Sequence, residues 1–259
     1  MTLLEFRDLT VHIGERTLLD ALSLRVAPGD FVALIGPNGA GKTTLLKTAL
    51  ALRAPSKGTV LLDGKPVTQL PARVRAAQIA WLPQHIRADE PLTCLESVAA
   101  ARFRFREGHA AAIGRAAGAL NRVGASAYGT RPITELSGGE RQRVAFACLI
   151  AQEADILLFD EPANHLDPTQ QLEVYRLLGE LWREGHTIVC INHDVNLLHQ
   201  VGDGANVRVV GLDKGRITFD TRLTDSALPR QLGDLFGLEM ESLKGANQRF
   251  IVPRRRSTP

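Results

Sequence analysis

A continuous apolar run, Phe31 to Ile35, leads straight into Gly36-Pro37-Asn38-Gly39-Ala40-Gly41-Lys42-Thr43, and this junction constrains the fold more than any other stretch. Five consecutive apolar residues predict a strand buried on both faces, as in a parallel sheet. The eight residues after it match the P-loop pattern of Gly, four residues, then Gly-Lys-Ser/Thr. Glycines let successive backbone N–H groups turn inward on an anionic phosphate. A helix from Lys42 to about Leu52 then presents its positive end to that phosphate. Lys42 reaches the β- and γ-phosphates of a nucleoside triphosphate, the Thr43 hydroxyl takes Mg²⁺, and Thr44 follows in the same turn. Kinases, GTPases and helicases share this loop, so it sets a ligand class and leaves the function open.

Two further apolar strands end in polar groups. Ile156 to Phe159 runs into Asp160-Glu161-Pro162, and Thr187 to Ile191 runs into Asn192-His193-Asp194. Between them Leu172, Tyr175, Leu178 and Trp182 recur at helical spacing, which predicts a helix near Thr169 to Glu184. Strand, helix, strand in this order argues for an α/β fold with a mostly parallel sheet and right-handed crossovers, whose ligands bind at the carboxyl edge. N-terminal to the loop, Leu22, Leu24 and Val26 alternate with Ser23 and Arg25, and Asp63-Gly64 after Val60 to Leu62 is a hairpin signal. Between Gln84 and about Ala151 the chain turns Ala- and Arg-rich with helical periodicity. Strand signals return at Val207 to Leu212 and Ile217 to Phe219, across a turn at Asp213 to Gly215, and roughly the last 30 residues are less regular.

Chemistry accompanies the strand ends. Asp160 is the expected second Mg²⁺ anchor, and Glu161 beside it is placed to orient or deprotonate an attacking water. A carboxylate pair at a buried strand end needs a cation to be tolerated, which Mg²⁺ supplies. Without the phosphate loop, the same pair reads as a helix cap. His193, one strand later, either donates to the γ-phosphate or holds Glu161.

Leu136-Ser-Gly-Gly-Glu-Arg-Gln-Arg143 decides among the P-loop classes, because it resembles the signature of ABC ATPases and stands before the Asp160-Glu161 strand as in that family. The resemblance covers nearly the whole chain. It implies a P-loop NTPase core of the ABC ATPase type, with an N-terminal antiparallel β subdomain and an inserted helical subdomain. Residues 1–84 and 152–220 would form the nucleotide-binding core, 85–151 the helical subdomain and 221–259 a C-terminal extension. Ser137, Gly138 and Gly139 would make a second anion nest serving ATP held by another copy, hence a homodimer with two ATP molecules sandwiched head to tail. By the same resemblance Gln84 links Mg²⁺ and the γ-phosphate to the helical subdomain. Asn164 to Asp167 crosses the dimer interface, Asp167 being its acid, and His193 is the switch histidine. One departure stands out. The family places an aromatic before a glycine near the N-terminus to stack on adenine, whereas here the stretch is His12-Ile13-Gly14, leaving His12 as the alternative ring.

Composition fits an ordinary globular protein. The net charge of +3, from 31 Lys and Arg against 28 Asp and Glu, does not argue for nucleic acid. Arg254, Arg255 and Arg256 form one basic cluster, read as a solvated tail. Cys94, Cys148 and Cys190 have no metal or redox spacing and read as buried apolar groups of a reducing compartment. Met1 to Leu9 reads as strand, without the features of a signal peptide, and no apolar run approaches the ~20 residues of a membrane span. The expectation is a protein peripheral to the cytoplasmic face of the cell membrane, driving separate membrane-spanning permease subunits, with a separate substrate-binding protein. That split arrangement resembles importers. Ala163-Asn-His-Leu-Asp167, His193-Asp-Val-Asn196 and Leu235-Phe236-Gly237 are similar to the ATPases of iron–siderophore, haem and cobalamin uptake. Alternatives are another small-molecule transporter, a soluble ABC ATPase acting on nucleic acid or the ribosome, and a binding-only regulatory subunit.

Overall fold

Alternation and continuous apolar runs sort the chain into two kinds of sheet. The computed structural model describes residues 3–85, 91–202, 204–245 and 249–254. In chain order it contains β1 (Leu4–Ile13), β2 (Arg16–Val26), β3 (Phe31–Ile35), α1 (Lys42–Ala49), β4 (Lys57–Leu62), β5 (Lys65–Pro66), α2 (Ala72–Gln78) and β6 (Ile79–Leu82). Next come α3 (Cys94–Ala100), α4 (His109–Arg122), α5 (Gly138–Ala151), β7 (Ile156–Asp160), α6 (Pro168–Arg183) and β8 (Thr187–Ile191). A 3₁₀ segment (Val195–Val201) leads to β9 (Val207–Asp213), β10 (Arg216–Arg222), α7 (Leu228–Phe236), β11 (Glu239–Lys244) and β12 (Arg249–Arg254).

The alternating stretches form an antiparallel sheet in the order β2-β1-β4-β5. Leu22, Leu24 and Val26 point inward from β2 while Ser23 and Arg25 face solvent. The apolar runs form the second sheet, β10-β9-β3-β8-β7-β6, parallel throughout except for the edge strand β10. β3 shows why its sequence does not alternate. Phe31, Ala33 and Ile35 enter a core shared with α5 and α6, while Val32 and Leu34 enter another shared with α1 and the first sheet. Burying its four large side chains is worth roughly 6–12 kcal/mol gross, before chain entropy is charged.

The parallel order places four strand ends side by side. The phosphate loop follows β3, His193 follows β8, Asp160 closes β7, and Gln84 lies two residues beyond β6. Helices α3, α4 and α5 lie between β6 and β7, and their buried residues Val98, Leu120 and Val144 join the core on one face of the sheet. The buried Arg102 ties the end of α3 to the end of α5, donating to Glu107 (2.5 and 3.0 Å), Glu153 (2.8 Å) and the Ala151 carbonyl (2.8 Å). A buried guanidinium is tolerated because its donors are paired.

Two expectations need correction. α1 stops at Ala49 rather than Leu52, because Ala51 turns left-handed (φ 54°) and Leu52 donates back to the Lys47 carbonyl (2.9 Å). The less regular C-terminal stretch contains, among the described residues, most of a helix (α7) and two paired strands (β11 and β12), whose surface exposure hides them from pattern reading. Cys94 and Cys190 are buried, Cys148 is half-buried, and all three are free thiols. Met1 and Thr2 of the first predicted strand, and Arg255 and Arg256 of the basic cluster, lie outside the described residues. Among the described residues, no helix is long and apolar enough to cross a membrane.

Candidate functional site

The loop after β3 closes on Gly41, which holds φ 106° at the start of α1. A Cβ there would stand 2.5 Å from the Leu18 carbonyl oxygen, so only glycine fits. With no side chain capping α1, its first N–H groups stay available to an anion. Lys42 is buried and donates to the carbonyls of Gly36 (2.7 Å) and Pro37 (3.1 Å). Burial pushes its pKa down, while the carboxylates of Glu161 and Asp160 hold it up.

The Thr43 hydroxyl donates to Asp160 Oδ1 (3.1 Å), joining the loop to the end of β7. Asp160 is 2% exposed. Burial pushes its carboxyl pKa up, the Thr43 hydrogen bond opposes this, and the charge of Glu161 adds to it. A hydroxyl oxygen thus meets a desolvated carboxylate that gains from a cation, and this pair of oxygen ligands fits a hard divalent ion such as Mg²⁺.

Glu161 begins the turn after β7 with φ 54°, a left-handed conformation that costs a non-glycine residue about 1–2 kcal/mol. Three side chains converge on its carboxylate. His193 Nε2 lies 2.5 Å from Oε1, while Gln84 Nε2 (2.6 Å) and Asn164 Nδ2 (3.0 Å) donate to Oε2. Of the two roles open to His193, the structure shows contact with Glu161. Gln84 likewise meets Glu161, across the end of the sheet from β6.

Lys42, Thr43, Gln84 and Glu161 line a cleft of about 390 Å³, whose walls also include Asn38, Gly39, Ala40, Gly41 and Thr44. Among the described residues, no aromatic side chain lines it. Ile13 is 50% exposed, and His12 shares a hydrogen bond with the Thr17 hydroxyl (3.1 Å); neither reaches the cleft wall. From β2, Arg16 and Leu18 do line the cleft. Arg16 was not legible as a site residue. No motif or spacing in the sequence singled it out.

Ser137, Gly138, Gly139 and Asp167 do not line this cleft. Ser137 caps α5 in a reciprocal box: its hydroxyl accepts from Glu140 N (3.4 Å), and Glu140 accepts from Ser137 N (2.8 Å). Gly138 and Gly139 follow as the first helical residues. Asp167 caps α6, accepting from Gln170 N (3.0 Å). One chain therefore carries the phosphate-loop cleft and, apart from it, a capped helix N-terminus led by Gly138 and Gly139.

The family model of the ABC transporter matches residues 19–164. The chain is 34% identical over 243 residues to the petrobactin import ATP-binding protein FpuD of Bacillus anthracis, covering 92% of this chain and 88% of that protein. It is 36% identical over 246 residues to the hemin import ATP-binding protein HmuV of Rhodopseudomonas palustris, covering 92% and 89%. Among solved structures it is similar to the ATP-binding cassette MJ0796, in a dimeric post-hydrolysis state bound to ADP and Pi. The TM-score there is 0.77 and the identity 27%, over 86% of this chain and 99% of that one. The chain thus belongs to the ABC transporter family, as a nucleotide-binding cassette that hydrolyses ATP.

Proposed function

We propose that this cassette energises a membrane importer for chelated iron, carried by a siderophore or as haem, and that it works as an ATP-sandwich homodimer on the cytoplasmic face of the cell membrane. The observation that carries the dimer is the separation of the two anion-binding features within one chain. The cleft has phosphate donors on one side, and Ser137, Gly138 and Gly139 lie elsewhere, at a helix start where the Gly138 and Gly139 N–H groups follow the Ser137–Glu140 capping box. A second copy related by a twofold axis supplies them to ATP in the first cleft, with Asp167 at the shared interface. The dimeric cassette similar in structure, and relatives named for petrobactin and hemin import, support this reading.

In the reaction, Gly36 to Thr44 embrace the triphosphate. Lys42 exchanges its two carbonyl acceptors for phosphate oxygens. Thr43 and Asp160 would hold Mg²⁺, which supplies charge neutralisation to the phosphates. Glu161, with its carboxylate oriented by His193, Gln84 and Asn164, accepts the proton of the attacking water. Gln84 precedes the part of the chain that carries α3, α4 and α5, so a change at Glu161 is passed to those helices and from them to permease subunits. A separate substrate-binding protein would deliver the chelate. Residues 1–84 and 152–220 serve as the nucleotide-binding core and 221–259 as its extension.

The test is co-purification of tagged Glu161→Gln protein from solubilised membranes of its native cell, with ATP and Mg²⁺. The expected result is a polytopic membrane protein in stoichiometric amount, with which ferric chelates, haem and cobalamin can be compared in ATP-dependent uptake. Recovery of ribosomal or nucleic-acid partners alone would overturn the transport reading.

A further inference from the structure

The C-terminal hairpin has no part in the chemistry described above, yet it is tied to the segment that carries His193. Ile251 of β12 is 6% exposed and enters the core shared with β8, α6 and the 3₁₀ segment. Both of its backbone polar groups are met by one side chain. Asn196 Nδ2 donates to the Ile251 carbonyl (3.0 Å), and Ile251 N donates to Asn196 Oδ1 (2.9 Å). The amide thereby replaces a strand partner, and both bonds form only when the hairpin is seated.

From Asn196 a relay runs back past His193 to the central sheet. Asn196 N donates to Asp194 Oδ1 (2.9 Å). Asp194 N donates to Asn192 Oδ1 (3.0 Å), and its carbonyl accepts from Asn192 Nδ2 (2.8 Å). Asn192 N in turn donates to the Leu34 carbonyl of β3 (3.0 Å). Residues 192, 194 and 196 are thus committed, with the sheet at one end and the hairpin at the other. His193 stands between them, 46% exposed, with Nε2 on Glu161.

We propose that Asn196 is a positioning residue for ATP hydrolysis: through this relay the seated C-terminal hairpin sets His193 against Glu161, which makes the C-terminal extension a control element for the catalytic step. The proposal rests on the reading of Glu161 and His193 as catalytic partners. A residue that acts through His193 affects turnover, leaves ATP binding alone, and has no effect once His193 is gone.

The experiment measures kcat and KM for ATP in the full chain carrying Asn196→Ala, His193→Ala or both, together with each melting temperature. Asn196→Ala should lower kcat by roughly 5–150-fold, the equivalent of two hydrogen bonds, with KM unchanged. On the His193→Ala background it should lower the residual kcat by less than about twofold. Should Asn196→Ala melt too low to assay, Asn196→Asp makes the same test, since it sets a carboxylate oxygen against the Ile251 carbonyl. An unchanged kcat well below the melting temperature overturns the proposal. So does an equal fold-loss on both backgrounds, which marks Asn196 as structural. Wild-type turnover in His193→Ala alone would instead remove the catalytic pairing on which the proposal rests.

Discussion

Replacing Gly215 by alanine should weaken ATP binding from outside the cleft. Gly215 lies in the turn between β9 and β10, with φ 78°. It clamps the phosphate loop from behind: its N–H donates to the Ala40 carbonyl (3.0 Å), and its own carbonyl accepts from Asp20 N (3.0 Å). A Cβ at this position would meet the Leu18 carbonyl oxygen at 2.7 Å and Leu19 Cα at 2.8 Å, both backbone atoms that cannot swing aside. The left-handed φ costs alanine about 1–2 kcal/mol. The clash displaces a turn holding two hydrogen bonds worth about 0.5–1.5 kcal/mol each, for a total of about 2–5 kcal/mol. Gly64 provides the control: its φ is 75° and a Cβ there would meet nothing within 4 Å, so Gly64→Ala bears the φ cost alone. At about 2–4 °C per kcal/mol, Gly64→Ala should melt roughly 2–8 °C below wild type and Gly215→Ala roughly 4–20 °C below. Circular dichroism melts give the stability, and titration with ATP gives the affinity, which should fall in Gly215→Ala and hold in Gly64→Ala. If both variants melt alike and bind ATP alike, the clamp on Ala40 does not exist in solution.

Three further outcomes are expected. Glu161→Gln should lower kcat by ~10²–10⁴ with KM for ATP unchanged, since it removes the proton acceptor and keeps the shape; a phosphate-release assay that finds normal turnover would displace Glu161 from this role. Arg16→Ala should raise KM for ATP by roughly 2–5-fold, matching the 0.5–1 kcal/mol of an exposed cation contact, whereas an unchanged KM would exclude Arg16 from the nucleotide wall. Burial pushes the Cys148 thiol from 9.0 up to about 12. At pH 8 that cuts its thiolate fraction from ~10⁻¹ to ~10⁻⁴, and Cys94 and Cys190 are inaccessible, so the native chain should titrate with a disulfide reagent only after unfolding. A fast burst of one thiol would contradict this.

Where burial imposes a pattern, the sequence could be read to the residue. β3 and β8 have the bounds that their apolar runs predict, because a strand covered on both faces must be apolar throughout and stops where polarity begins. The Asp63-Gly64 turn was visible for a different reason: both residues hold positive φ, 49° and 75°, which few residue types adopt. β11 was invisible, since in Glu239–Lys244 every residue but Met240 is exposed and no alternation results. Lys42, Thr43 and Asp160 were singled out by their motifs, and the structure brings Thr43 and Asp160 into direct contact. Asn164 was read as part of a loop that crosses a dimer interface, and its contact with Glu161, which follows a left-handed turn at Glu161, was not announced by any spacing. Arg16 looked like any surface cation until the hairpin was set beside the phosphate loop.

The shared-site account is tested most directly by sedimentation equilibrium of Glu161→Gln protein with and without ATP and Mg²⁺. The account predicts a species of twice 28.2 kDa with ATP, and loss of that species when Ser137 is also replaced by a bulky residue. A monomer at high protein concentration with saturating ATP would contradict it, because the donors of Ser137, Gly138 and Gly139 would then serve no nucleotide.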